Sequence, residues 1–134
     1  MGQAGRHPEP GMKPRQRFLD GFRVAFIGIS YLLRTQRNAR IHAAIMAAVI
    51  GLGAWLQLPA AHWAVLALTF SLVLAAEAGN SAIEALGDAI TTQRHPLIGA
   101  AKDVAAGAVL ISALGAVVVG LLLLGPPLWQ RLAE

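Results

Sequence analysis

From Ile41 to Ala76 the sequence carries no Asp, Glu, Lys or Arg, and a charge-free run of that length leaves few folding options. About 20 consecutive apolar residues suffice for a helix to cross roughly 30 Å of hydrocarbon. The run is therefore long enough for one crossing and most of a second, with Gln57, Pro59 and His62 as the polar break between them. Composition agrees: 56% of the 134 residues are hydrophobic and 13% charged, against about 45–50% and about 25% in soluble domains. The chain reads as one all-α membrane domain over 17–130, preceded by a polar tail. Cysteine is absent, which removes disulfide frameworks and cysteine-rich zinc sites.

The net charge of +4 looks like a nucleic-acid signal until it is mapped. Eight of the eleven Lys and Arg fall within the first forty residues, directly before the charge-free run. That placement points to anionic lipid headgroups as the partner, not nucleic acid. Residues 1–16 are polar, rich in Gly and Pro, and expected to be a disordered cytoplasmic tail. From Arg17 to about residue 35, Phe18, Leu19, Phe22, Phe26, Ile29, Leu32 and Leu33 recur at steps of three and four beside Arg23 and Arg34. This is the pattern of an amphipathic helix lying in the membrane interface.

Three transmembrane helices are expected beyond it, at about 41–58, 63–90 and 103–124. Trp55 and Trp63 act as interfacial anchors, and Gly125, Pro126 and Pro127 close the last span. A polar connection from Thr91 to Ala101 joins the second span to the third, with Lys102 and Asp103 opening that last helix. Basic residues before the first span and between the second and third place the N-terminus and the second connection in the cytoplasm.

The second span is anomalous. At 100° per residue, Glu77, Asn80, Glu84 and Asp88 sit at about 0°, −60°, −20° and +20°, one narrow stripe of a helix. An Asp at the bilayer centre costs about 2.5–3.5 kcal/mol on insertion scales, so three carboxylates on one membrane helix call for protons, cations or water as partners. Carboxylates one or two turns apart suit Mg²⁺, which takes one or two of them together with substrate phosphates. Lys102 and Asp103, with His95 upstream, add a cation and further polar groups. Phosphoryl transfer needs clamps on the phosphates and a base for the acceptor hydroxyl, and these residue types supply both. An ion-coupled channel or a regulatory membrane oligomer would use the same seam, and spacing alone does not separate the readings. No Walker A pattern or kinase Gly-rich loop occurs, which excludes a soluble-type nucleotide fold.

The run Glu77-Ala-Gly-Asn80-Ser-Ala-Ile-Glu84-Ala-Leu-Gly-Asp88, followed by His95-Pro-Leu-Ile-Gly-Ala-Ala-Lys102-Asp103, resembles the signature of the prokaryotic diacylglycerol kinase family, which includes the undecaprenol kinases. The resemblance extends from about Arg17 to Leu124. It implies a homotrimeric enzyme of the bacterial cytoplasmic membrane that phosphorylates a lipid alcohol with MgATP. By motif position it implies Glu77 as general base near the lipid hydroxyl, Asn80 as its positioning partner and Glu84 as a metal ligand beside the ATP phosphates. Lys102, Asp103, His95 and Asp88 resemble nucleotide contacts, with Lys102 on phosphate, and Arg17 resembles a basic position that touches lipid. The segment from Gln36 through Arg37-Asn38-Ala39-Arg40-Ile41-His42 looks more like the undecaprenol kinase branch. It departs from the family form at its head, where Gln36 stands in place of a metal-binding Glu, so weakened metal affinity is expected.

Overall fold

The computed structural model describes residues 14–133 of the chain, with side chains from Leu19 onward. It is all α: α1 (Pro14–Thr35), α2 (Arg37–Trp55), α3 (Ala60–Ile90) and α4 (Pro96–Ala133). Residues 1–13 of the expected tail and the Arg17 side chain lie outside the described part. α1 starts at Pro14, earlier than expected, because a proline's fixed φ suits the first helical turn and its missing N–H has no partner there to lose. One residue, Gln36, separates α1 from α2; its backbone is extended (φ −98°, ψ 117°).

α3 and α4 form the most extensive pairing, an antiparallel hairpin, and α2 packs against both. These two helices are long and apolar enough to cross a membrane, yet only 17% and 11% of their most apolar windows are buried within the chain. A core helix of a soluble protein would be covered on most sides. Here Leu68, Leu72 and Leu86 of α3 and Ile111, Leu114 and Leu121 of α4 face outward, a surface that requires lipid or neighbouring helices.

α2 and α3 also begin three or four residues earlier than expected, and three further boundaries change. α2 ends at Trp55, so its apolar stretch from Ile41 is about 15 residues, or roughly 22 Å at 1.5 Å per residue. That is short of the hydrocarbon thickness, because Leu56 to Leu58 are used in a turn. α4 begins at Pro96, not after Ala101, so Lys102 and Asp103 lie in its second turn. It also runs through Pro126 and Pro127 to Ala133 instead of stopping there. Proline φ is itself helical, and removing two backbone donors is tolerated where the flanking segment is held by packing. Arg131 supplies part of that hold, its guanidinium lying 5.9 Å from the Trp55 ring centroid.

The tightest packing lies at the α2–α3 turn. Leu58, Leu66 and Leu124 form the buried cluster, ringed by Val49, Leu52, Trp63, Phe70 and Leu123. The turn closes α2 in a Schellman arrangement, with Leu58 N donating to Gly53 O and Gln57 N to Ala54 O, both at 3.1 Å. Gln57 takes φ 54°, where a Cβ costs about 1–2 kcal/mol. A Cβ on Gly53 would lie 3.0 Å from Leu58 Cδ1 and 3.1 Å from the Trp63 ring. Gln57→Gly is therefore expected to raise the thermal midpoint in detergent, whereas Gly53→Val should lower it, at a cost of about 1–3 kcal/mol for overpacking. Thermal unfolding of both variants, followed by circular dichroism, checks the opposite signs.

Candidate active site

α3 carries the polar seam on its second half. Glu77, Asn80 and Ser81 are its most buried polar side chains, at 2%, 8% and 7% exposure. Among the described residues, Glu77 Oε2, Asn80 Oδ1 and Ser81 Oγ have no hydrogen-bond partner. The Asn80 amide nitrogen is directed to Glu84 Oε1 at 3.4 Å, one turn further on. Glu84 is half-buried, and Asp88, another turn along, has a 72% exposed side chain. The seam thus grades from a dry end at Glu77 to a wet end at Asp88, about 16 Å away along the axis.

The wet end is closed by the α3–α4 hairpin. Thr91 ends α3, its N–H donating to Gly87 O at 3.2 Å, and its hydroxyl accepts from Gln93 N at 3.0 Å. Pro96 then starts α4. A pocket of about 620 Å³ opens here, lined by Asp88, Arg94, His95, Gly99, Lys102 and Asp103 among others. Lys102 Nζ donates to Asp88 Oδ1 at 2.5 Å. The first turn of α4 contains no acidic residue, so its free N–H groups and positive dipole end add to the cations in favouring a bound anion.

Four residues expected from sequence, Asp88, His95, Lys102 and Asp103, are therefore brought into one pocket. Glu77, Asn80 and Glu84 line up behind it on α3. Gln36 sits at the α1–α2 joint, half-buried and with no capping hydrogen bond from its side chain. Among the described residues no three His, Cys, Asp or Glu side chains gather into a metal-binding group. Any cation at Glu84 would complete its shell from elsewhere, as Mg²⁺ does with phosphates and water.

Two residues of this region had no role in the sequence reading. Gly87 lies under the Lys102 stem, where an added Cβ would be 2.8 Å from Lys102 Cε and 2.9 Å from Ile98 Cγ2. Its signal was available: a glycine inside a helix costs about 1 kcal/mol relative to alanine and needs a packing reason. Ser81 left no such trace, because a serine in a membrane helix ordinarily bonds its own backbone.

Comparison with known proteins identifies the family. Residues 23–124 match the family model described as prokaryotic diacylglycerol kinase. The chain is 50% identical over 111 residues to a diacylglycerol kinase of Synechocystis sp., covering 82% of this chain and 63% of that one. It is 40% identical over 112 residues to the undecaprenol kinase of Bacillus subtilis, covering 84% of this chain and 91% of that one. A diacylglycerol kinase of Escherichia coli is 40% identical over 81 residues, 60% of this chain and 66% of that one. The matches thus span less than two thirds of the Synechocystis and Escherichia coli relatives and nearly all of the Bacillus one. With the family model covering most of the described helices and a 40% identical relative matched almost end to end, the chain belongs to the prokaryotic diacylglycerol kinase family.

Proposed function

We propose that the chain is an ATP-dependent membrane lipid kinase that transfers the γ-phosphoryl group of ATP to the hydroxyl of a lipid alcohol, diacylglycerol or undecaprenol. The observation that carries this reading is the Glu77 carboxylate, 2% exposed and with Oε2 unpartnered, at the dry end of a seam whose wet end opens into a pocket lined by Arg94, His95 and Lys102 together with Asp88 and Asp103. A lipid hydroxyl arrives from the bilayer and a nucleotide from water, and this gradient suits both.

Glu77 accepts the hydroxyl proton as the lipid oxygen bonds to phosphorus. The bond from that phosphorus to the bridging oxygen breaks and ADP leaves. Lys102 and the α4 N-terminus clamp the phosphates, with His95 and Asp103 as further nucleotide contacts and Asp88 holding the Lys102 amine at the pocket. Asn80 holds Glu84 in line. Glu84 fits Mg²⁺ bound through a single carboxylate plus phosphates, and Gln36 would add an amide oxygen. Bound there, the ion neutralises phosphate charge.

In the bacterial cytoplasmic membrane, α2 joins α3 and α4 as a short third span. α1 lies in the interface with Arg23 and Arg34 toward anionic headgroups, and Arg17 meets lipid. The N-terminus and the α3–α4 turn face the cytoplasm, where ATP is. A homotrimer supplies neighbours for the outward apolar faces. The segment after Gln36 favours undecaprenol, while the relatives' names include both lipids, so the acceptor is assigned as a long-chain lipid alcohol.

The test is transfer of labelled phosphate from ATP to each lipid in detergent micelles with Mg²⁺. Glu77→Gln is expected to lower the rate by about 10²–10⁴-fold, the usual worth of a general base. Wild-type protein inert toward both lipids across several metals would instead leave an ion-binding or regulatory oligomer as the reading.

Lys102→Met and Gly87→Val, the second by displacing the lysine stem, should each raise the KM for ATP about tenfold while the lipid KM stays put. Initial rates over a grid of ATP and lipid concentrations separate the two constants.

Gln36→Glu should lower the Mg²⁺ concentration that gives half-maximal rate, since a carboxylate binds the ion more strongly than an amide oxygen. An unchanged Mg²⁺ titration would remove Gln36 from the metal site.

A further inference from the structure

Helical serines and threonines normally satisfy their hydroxyls by donating to the carbonyl one turn back. Thr35, Thr69, Ser71 and Ser112 all do so, each at 2.8 Å. Ser30 of α1 and Ser81 of α3 do not, and of the two only Ser81 is buried, more deeply than any of the bonded four. Its Oγ has no partner among the described residues, and Glu77 O, the carbonyl it would normally use, receives nothing from it. In a membrane there is no bulk water to replace that bond.

Ser81 stands one turn from Glu77, about 40° round the helix and about 6 Å along its axis, so it belongs to the same stripe. The unpartnered atoms of this buried stretch are Glu77 Oε2, Asn80 Oδ1 and Ser81 Oγ. The first two are acceptors, because Asn80 turns its amide nitrogen toward Glu84. Of the three, Ser81 supplies the donor.

An alcohol oxygen presents one proton and two lone pairs. A carboxylate that takes the proton leaves the oxygen free to swing about that single contact. A second contact that donates to one lone pair fixes the oxygen and directs the remaining pair at phosphorus. In-line phosphoryl transfer depends on that alignment.

We infer that Ser81 binds the acceptor hydroxyl directly, donating to the lipid oxygen while Glu77 takes its proton. The inference rests on the kinase reading of Glu77 and names a residue for alcohol recognition that the sequence motif did not. A site built around a hydroxyl donor and acceptor pair also rejects lipids whose hydroxyl is replaced by an ether, since its buried polar groups then lose their partners.

The experiment measures transfer from ATP to undecaprenol and to dioleoylglycerol in detergent micelles with Mg²⁺, using wild type, Ser81→Ala, Ser81→Thr and Glu77→Gln. Ser81→Ala is expected to lose about 10- to 100-fold in kcat/KM for the lipid that wild type uses, with the KM for ATP and the thermal midpoint within error of wild type. Ser81→Thr, which keeps the hydroxyl, should recover most of the loss. A Ser81→Ala enzyme with unchanged lipid kinetics, or one whose loss falls on the KM for ATP, overturns the assignment while Glu77→Gln remains inactive. Full transfer by Glu77→Gln, or none by wild type, would instead overturn the kinase reading beneath it.

Discussion

The second half of α3 is arranged around a buried carboxylate, one of whose oxygens has no hydrogen-bond partner among the described residues. Glu77 is almost completely enclosed, and one of its oxygens meets no donor. A buried polar group in that condition costs about 1–3 kcal/mol, and a charged one more. The chain offsets the cost at a distance instead of repairing it locally. The close packing of Leu58, Leu66 and Leu124 gathers at the end of the bundle where α2 turns into α3. Asn80, Ser81 and Glu84 occupy the opposite half of the same helix. One continuous helix thus carries apolar packing at one end and chemistry at the other, and the packed end can hold the other in place without filling it.

The hairpin that follows turns depth into a chemical coordinate. Asp88 and Lys102 are the most nearly hydrated of the seam's charged groups, and they pair across the α3–α4 turn. Gly87 makes that pairing possible, since the lysine stem crosses α3 where a side chain would otherwise stand. Charges are cheap at the hydrated end and costly further along. On the proposed reading, a highly charged nucleotide and a neutral alcohol would sort themselves to opposite ends of one stripe with no need for separate domains. Under that proposal, a chain of four helices could serve two such unlike substrates.

Much of this was legible in the sequence, for definite reasons. The seam follows from helical periodicity and from the scarcity of charge around it, so Glu77, Asn80, Glu84 and Asp88 could be placed on one face before any coordinates. The expected second span, 63–90, differs from α3 by three residues at its start. The misjudged elements depend on context. Pro126 and Pro127 read as a stop, but their φ is helical and Arg131 stacks beyond them on Trp55. α2 read as three residues longer, but Leu58 turns back onto Gly53 to close the Schellman turn. Ser81 could not have been singled out, because its distinction is burial together with a backbone bond that it fails to make.

On the proposed reading, the joint between α1 and α2 would link the membrane surface to the metal site. Gln36 alone separates the two helices, and α1 also packs against α3. The start of α2 carries Arg37 and Arg40 and no acidic residue, an arrangement that the helix dipole disfavours. A glutamate at position 36 would relieve that strain by capping the helix N-terminus, and two flanking arginines would compete with a metal ion for its charge. A glutamine gives up the capping charge and is less attractive to the arginines. On the proposed reading, the neutral side chain trades strength of metal binding for independence from its basic neighbours. If α1 is seated at the lipid interface as proposed, that seating would set where Gln36 stands.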